Sequence, residues 1–405
     1  MLSNKLTSRA SELCLLAIVI LMYIAVCAEA DIYVPAFPEM VQYFGTTEDK
    51  IQLILSLNFL GICIASLICG PLSDAFGRRK ILLSGLFLFF VSSVACVFSQ
   101  SFDVMLFWRV IQGFSASIPM VIGCALFLDK YELNKASQLV GILNSVITAA
   151  MAGAPILGAW LTYHFHWRLN FVVIAVVVLL SLVGTFFFIE ESLPEQKRKK
   201  FDMTAILKDY IALASSFKFV GYTLMALLPF IGIVVYISNL SLIFINHLGV
   251  PADTFAYYQA TTMGTFVIFS ALSSKLIAKK GIEFTKIIGS LGILAGGAAL
   301  LFTALFAPHS ATLITLSMSL FAAGGSMVVG IFGMKALALF PEMKGTSSSL
   351  MTAIRQFVAA SLVFISEITF DGSIIPVSII IVGSVCILGV WYFLIETTPL
   401  TSPAR

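Results

Sequence analysis

Gly70-Pro71-Leu72-Ser73-Asp74-Ala75-Phe76-Gly77-Arg78-Arg79-Lys80 sets one carboxylate, two glycines and three cations between two long apolar runs, Ile51 to Cys69 and Ile81 to Phe98. Each run is close to the roughly 20 apolar residues that a helix needs to cross a bilayer. The stretch therefore reads as a tight turn between two membrane helices. Glycine permits a reversal that a side chain would obstruct, and the cations anchor the turn on the cytoplasmic face. Asp74 has reason to seek a helix N-terminus or an arginine in so poorly solvated a zone.

Working outward, the same pattern fills the chain. Over 405 residues it is 59% hydrophobic and 11% charged, with a mean hydropathy of +1.02, and no water-soluble surface can be assembled from that composition. Twelve apolar windows follow one another, at about 13–37, 51–72, 80–98, 104–128, 137–161, 169–189, 219–245, 255–278, 285–307, 311–334, 346–368 and 374–395. The expected fold is an all-α membrane protein of twelve transmembrane helices with no separate globular domain. The first window is longer than a signal-peptide core and lacks a cleavage site, so it is read as retained.

Cations set the orientation. With the N-terminus in the cytoplasm, Arg78, Arg79, Lys80, Lys130, the Lys197-Arg198-Lys199-Lys200 run, Lys279, Lys280, Lys335, Lys344 and Arg405 all fall on the inner side, and only Lys50 and Arg168 fall outside. This asymmetry predicts both termini cytoplasmic. The formal net charge of +3 then reports topology, and no nucleic-acid partner is implied. All seven cysteines, Cys14, Cys27, Cys63, Cys69, Cys96, Cys124 and Cys386, sit in predicted helices without metal-ligand spacing, so they read as small apolar filler. His164, His166, His247 and His309 fall in outer loops and read as solvated, with pH sensing or incidental metal binding as the alternative for the first two. Neither a cofactor nor a metal is called for.

The densest charge lies between the sixth and seventh windows, which divides the chain into 1–190, a linker at 191–218, and 219–405. A weak echo of the opening motif recurs at Ser273-Ser274-Lys275 through Lys279-Lys280-Gly281, where a two-fold repeat would place it.

Charges inside the windows are the functional candidates, because an ionisable group at membrane depth is costly unless it is paired or faces water. Glu29 and Asp31 fall in the outer part of the first helix, and Arg109 lies at similar depth in the fourth. Two residues turn a helix by about 200°, so the two acids face nearly opposite ways. We assign Asp31 to pairing with Arg109 and Glu29 to a central cavity, the reverse assignment and a headgroup location for both being the alternatives. Arg355 lies about ten residues into the eleventh window, roughly 15 Å deep, and is expected to face the cavity rather than to pair with a carbonyl or Glu367. Such an arginine suggests substrates with anionic character. Tyr236, Asn239, Tyr257 and Tyr258 are the remaining candidate cavity residues.

Several stretches carry a family resemblance. Gly70 to Lys80 fills nearly every position of the signature loop of the major facilitator superfamily of transporters. Asp31-Ile32-Tyr33-Val34-Pro35-Ala36-Phe37-Pro38 resembles the end of the first helix in its Bcr/CflA drug-resistance subfamily, with the pattern D-x-Y-x-P-x-x-P. Arg109-Val110-Ile111-Gln112-Gly113 resembles the fourth-helix motif R-x-x-Q-G, whose arginine is implicated in proton coupling. Leu128-Asp129-Lys130-Tyr131 is similar to R-D-x-Y with the arginine replaced, and Trp167-Arg168-Leu169-Asn170-Phe171 is similar to W-R-x-x-F. Pro341 to Leu350 resembles the small-residue start of the eleventh helix. In the fifth helix, Gly153, Pro155 and Gly158 stand where antiporters of the superfamily carry a glycine- and proline-rich bend, although alanines replace several of the expected glycines.

The resemblance implies two pseudo-symmetric six-helix bundles with a substrate site between them near the midplane. It makes Glu29, Asp31 and Arg109 proton-coupling residues, and Asp74, Gly77, Arg78, Arg79 and Asp129 a conformational switch in which Asp74 approaches the start of the eleventh helix near Gly345-Thr346. The expected function is proton-coupled antiport of drugs or other small molecules by rocker-switch alternating access, performed by a monomer in a bacterial inner membrane whose partners are substrate, protons and lipid. The alternative is a dedicated transporter of one metabolite such as a siderophore or peptide. A membrane enzyme is the third class, and no H-E-x-x-H, intramembrane His/Asp pair or G-x-S-x-G backed by a membrane histidine speaks for it.

Overall fold

In lipid a spanning segment must satisfy its own backbone groups, so the apolar windows have to be helical. The computed structural model describes residues 2–131, 133–193, 195–198, 201–340 and 343–396. Among these, twelve long helices follow in chain order: α1 Leu2–Asp31, α2 Leu53–Phe76, α3 Arg78–Val97, α4 Phe102–Lys130, α5 Leu133–His164, α6 Arg168–Phe188, α7 Phe217–Ser241, α8 Ala252–Lys280, α9 Ile282–Phe306, α10 Ala311–Ala338, α11 Lys344–Ile368 and α12 Ile375–Glu396. Eleven are long and apolar enough to cross a membrane when only the described residues are counted, and α5 is the twelfth. Lys199, Lys200, Pro341 and Arg405 of the sequence reading lie outside the described residues, as do the side chains of Cys124 and Lys344 and the surroundings of Gly345.

Helix starts follow the capping residues. Ser101, Ser216 and Ser310 each accept a bond from the N–H three residues on, at the first turns of α4, α7 and α10, which satisfies donors the helix cannot. The α2–α3 and α8–α9 turns are each made by one glycine of positive φ, Gly77 at +98° and Gly281 at +88°. Those are corresponding places in the two halves, so the weak sequence echo marks a real repeat of the turn. Small residues then let helices touch backbone to backbone. A Cβ on Gly113 would strike the Asn58 carbonyl where α4 crosses α2, and one on Gly324 would strike the α9 backbone at Gly289 and Ile293.

The charged linker is not simply solvated chain. Residues Met203–Ala214 form a short helix capped by Asp202, whose carboxylate accepts from the Thr204 hydroxyl and from the Thr204 and Ala205 N–H groups. Those bonds, the hydroxyl's first, hold the Asp202 carboxyl below its usual range. The helix buries Leu213 in a small apolar cluster with Phe219, Ala336 and Leu350, and the Tyr210 hydroxyl donates to the Leu67 carbonyl of α2 at 2.9 Å. It thereby contacts both six-helix groups at the end of the molecule that carries Gly77 and Gly281, here called the basic face.

Candidate functional site

The first candidate centre is Arg109, fully buried in α4 together with Glu29 of α1. Its Nη1 lies 2.8 Å from Glu29 Oε1 and also donates to Gln112 Oε1, one helical turn on. Nη2 donates to the Tyr33 hydroxyl at 2.6 Å, and Nε to the Ile54 carbonyl at 3.3 Å. The guanidinium stacks 4.3 Å from the Tyr33 ring centre. Asn58 of α2 donates to Glu29 and, at 3.2 Å, to the Arg109 carbonyl, and Gln112 passes a bond on to Ser93 of α3 at 2.9 Å. One charge pair thus ties α1, α2, α3 and α4 together. Within this network, Glu29 Oε2 and Asn58 Oδ1 have no hydrogen-bond partner among the described residues.

This arrangement corrects the sequence assignment. The two acids do face opposite ways, but Glu29 holds Arg109 and Asp31 does not. The side of α1 that meets the backbone contact between α2 and α4 is the side carrying Glu29. Asp31, the last residue of α1, points the other way, into a cavity of about 30 Å³ walled by Phe230, Ile233, Val234 and Ile237 of α7 and Met263 and Phe266 of α8. It makes no hydrogen bond or ion pair with any described residue. Glu29 is accordingly no cavity residue.

Beside it, sharing Phe230 and Phe266, is a cavity of about 920 Å³. Its walls come from α7, α8, α10 and α11, with Ile147 of α5, and it reaches the basic face at Ile282, Lys335 and Ala338. Arg355 is among the residues that line it, and no pair with Glu367 forms. The other cavity candidates do not line it. Tyr236 is fully buried within the C-terminal half, Tyr257 is 73% exposed, and Tyr258 packs on Phe244. Asn239 belongs to a seal at the opposite face.

That seal joins the two six-helix groups. Gln52 donates to Asn239 at 2.9 Å, Asn239 to Ser366 at 2.7 Å, and Ser241 to the Val34 carbonyl at 2.9 Å. Farther out, Glu48 receives Asn246 at 2.6 Å and lies 2.7 Å from His247 Nε2. The side chains of His166, 3.3 Å from Glu39, and His247 are both partly exposed, and each lies beside an acid, which the sequence did not indicate. The molecule is closed at the Glu48 face and hollow toward the basic face.

The profile of the Major Facilitator Superfamily matches residues 19–363. The chain belongs to the major facilitator superfamily. It is similar to the bicyclomycin resistance protein homolog of Haemophilus influenzae, at 27% identity over 82% of this chain and 83% of that protein. It is also similar to the multidrug transporter MdfA of Edwardsiella piscicida, at 23% identity over 81% and 80%, and to the multidrug resistance protein MdtM of Escherichia coli K12, at 25% identity over 88% and 87%. Among solved structures, a D-xylose–proton symporter superposes with a TM-score of 0.73 at 16% identity, covering 96% of this chain and 98% of that one. At that identity the likeness establishes the twelve-helix fold, and the chain is a multi-pass integral membrane protein.

In this superfamily member the signature loop is tied down within its own half. Arg78 bridges Asp74 at 2.6 Å and Asp129 at 3.2 Å, and Ser192 donates to the same Asp129 oxygen at 2.9 Å. Arg79 donates to the Phe186 carbonyl at 2.8 Å. Glu191 accepts from the N–H groups of Arg78 and Arg79 at 2.9 and 3.3 Å, an anion on the N-terminus of α3. A Cβ at Gly77 would strike that carboxylate, so the glycine is needed for space as well as for its φ. The Asp74 carboxylate is engaged by Arg78, while α2 approaches α11 a turn earlier, where a Cβ on Gly70 would come to 3.7 Å from Ser349 Oγ. In α5, Pro155 lies inside a continuous helix. Gly158 presses on the Ile32 carbonyl next to Asp31, whereas Gly153 faces open space. Sequence reasoning missed Asn58 and Glu191. A lone asparagine inside the Ile51 to Cys69 run and the second of the two acids that follow the sixth window were the available signals.

Proposed function

We propose that this chain is a proton-coupled secondary transporter that exports drug-like small molecules in exchange for protons. It works as a monomer in a bacterial inner membrane with both termini cytoplasmic, and its partners are substrate, protons and lipid. The halves 1–190 and 219–405, joined by 191–218, rock about the space between them. With the basic face cytoplasmic, the arrangement sealed at Glu48 is the inward-facing one.

Asp31 carries this reading. It is a carboxyl at the seam between the halves, without a hydrogen bond or ion pair to any described residue, against an apolar wall contributed by the other half. Protonated, it is compatible with that wall. Ionised, it requires water or a cation, so its proton biases which arrangement of the halves is favoured. Glu29 and Arg109 neutralise each other and fix α1 in register, while Asp74, Gly77, Arg78, Arg79 and Asp129 hold the α2–α3 turn as a rigid lever. The relatives, two multidrug proteins and a bicyclomycin resistance homolog, support the substrate class. A second reading, a transporter dedicated to one metabolite, is favoured by Arg355.

Purified protein in liposomes tests the coupling. The wild type moves substrate when a pH gradient is imposed, and Asp31→Asn, folded and still binding substrate, does not respond to the gradient. Undiminished gradient-driven flux in Asp31→Asn would remove Asp31 from the mechanism.

A further inference from the structure

The large cavity is one-sided in charge. Its volume of about 920 Å³ lies within the roughly 300–1,000 Å³ of drug-sized sites. Phe230, Phe266, Met327 and Met351 give it apolar walls, and Ser274 and Thr352 add hydroxyls. Its two cations are Lys335 and Arg355, and none of the described residues lining it carries a carboxylate.

The two cations are not equivalent. Lys335 sits at the mouth, 3.9 Å from Glu283 and over the Tyr222 ring. Arg355 makes no hydrogen bond or ion pair with a described residue. Its Nε is buried without an acceptor, and the aromatic ring beside it is Phe230, 5.7 Å from the guanidinium carbon. Asp31 adjoins the same phenylalanine but forms no pair with it. A desolvated guanidinium costs several kcal/mol unless its donors are met, and the group that meets a planar fork of donors best is a carboxylate or a similar oxyanion.

We propose that the cavity binds an amphipathic organic anion, its carboxylate seated on Arg355 and its aromatic body packed between Phe230 and the methionines. The missing acceptor at Arg355 is then supplied by the cargo. This deepens the transport reading, on which it rests, by giving the charge class of the substrate.

The test uses full-length protein in nanodiscs and three probes of one shape: 2-naphthoate, 2-naphthamide and 2-naphthylmethylammonium. Titration calorimetry should show naphthoate bound about tenfold or more tightly than the amide, with the ammonium no tighter than the amide. Arg355→Gln should weaken naphthoate by about 10- to 150-fold, the equivalent of one charge-assisted hydrogen bond, and leave the amide within about twofold. Thr352→Glu, one turn away on the cavity wall, supplies an internal carboxylate for Arg355 and should weaken naphthoate comparably, which keeps the test decisive where Arg355→Gln fails to fold. Equal binding of the three probes, or naphthoate affinity unchanged in either variant, overturns the proposal. If that result comes with intact pH-driven flux of a neutral or cationic drug, only the anion assignment falls. Selective naphthoate binding without any gradient dependence would instead leave this assignment standing and remove the proton coupling.

Discussion

Arg109 and Arg355 are both arginines at membrane depth, one in each half, and their surroundings are opposite. Arg109 is fully buried, and each of its three guanidinium nitrogens donates within the protein, to Glu29, Gln112, Tyr33 and a carbonyl of α2. Arg355 borders a cavity and has an orphaned Nε. A buried charge with every donor met is part of the frame, because nothing else is needed to keep it there. One whose partners are missing fits a site whose partner comes and goes. The acids of α1 divide the same way: Glu29 is consumed by the frame, and Asp31, two residues on, is left at the seam.

The largest effect should come from breaking the closed pair. Arg109→Gln strands the Glu29 carboxylate and should cost about 3–5 kcal/mol, seen as loss of monodisperse protein and a large fall in unfolding temperature. Adding Glu29→Gln to the same chain should restore much of that stability, because the uncompensated charge is gone. A well-folded Arg109→Gln single variant would break the comparison. Next, Asn58→Ala removes a donor to Glu29 and should cost about 1–3 kcal/mol in the same unfolding measurement, with substrate affinity unaffected. Glu48→Gln is smaller still. An exposed ion pair is worth about 1 kcal/mol or less, so the fold should be untouched, while spin labels on the outer ends of α1 and α7 should report a modest gain in the longer-distance population. At the bottom of the scale, Arg355→Gln should cost the ligand-free protein no stability in the same unfolding measurement, since it removes a desolvated guanidinium whose Nε has no acceptor among the described residues.

The fold was legible because every spanning helix must declare itself in roughly 20 apolar residues, and because Gly77 and Gly281 mark turns that only glycine makes comfortably. The depth of Glu29, Asp31, Arg109 and Arg355 was legible for the same reason: position along a helix is position across the membrane. Rotation was not. A two-residue spacing separates Glu29 from Asp31 around the helix but does not say which one meets Arg109, since that depends on how α1 packs against α2 and α4. Tyr236, Asn239, Tyr257 and Tyr258 failed as cavity residues on the same point, each at a plausible depth but turned into the core, the seal or the outer surface. Contacts between distant segments, such as Glu191 on the first turn of α3 and His247 on Glu48, leave no periodic trace in the sequence.

The claim that one arginine is closed within the protein and the other open to a ligand is tested most directly by water access. In a background lacking the seven native cysteines, Ser93→Cys, beside Gln112 in the Arg109 network, and Arg355→Cys would each be exposed to a small charged thiol reagent applied at the basic face. That difference predicts rapid labelling at position 355 and none at position 93. Labelling of both positions at similar rates, or of position 93 alone, would contradict it.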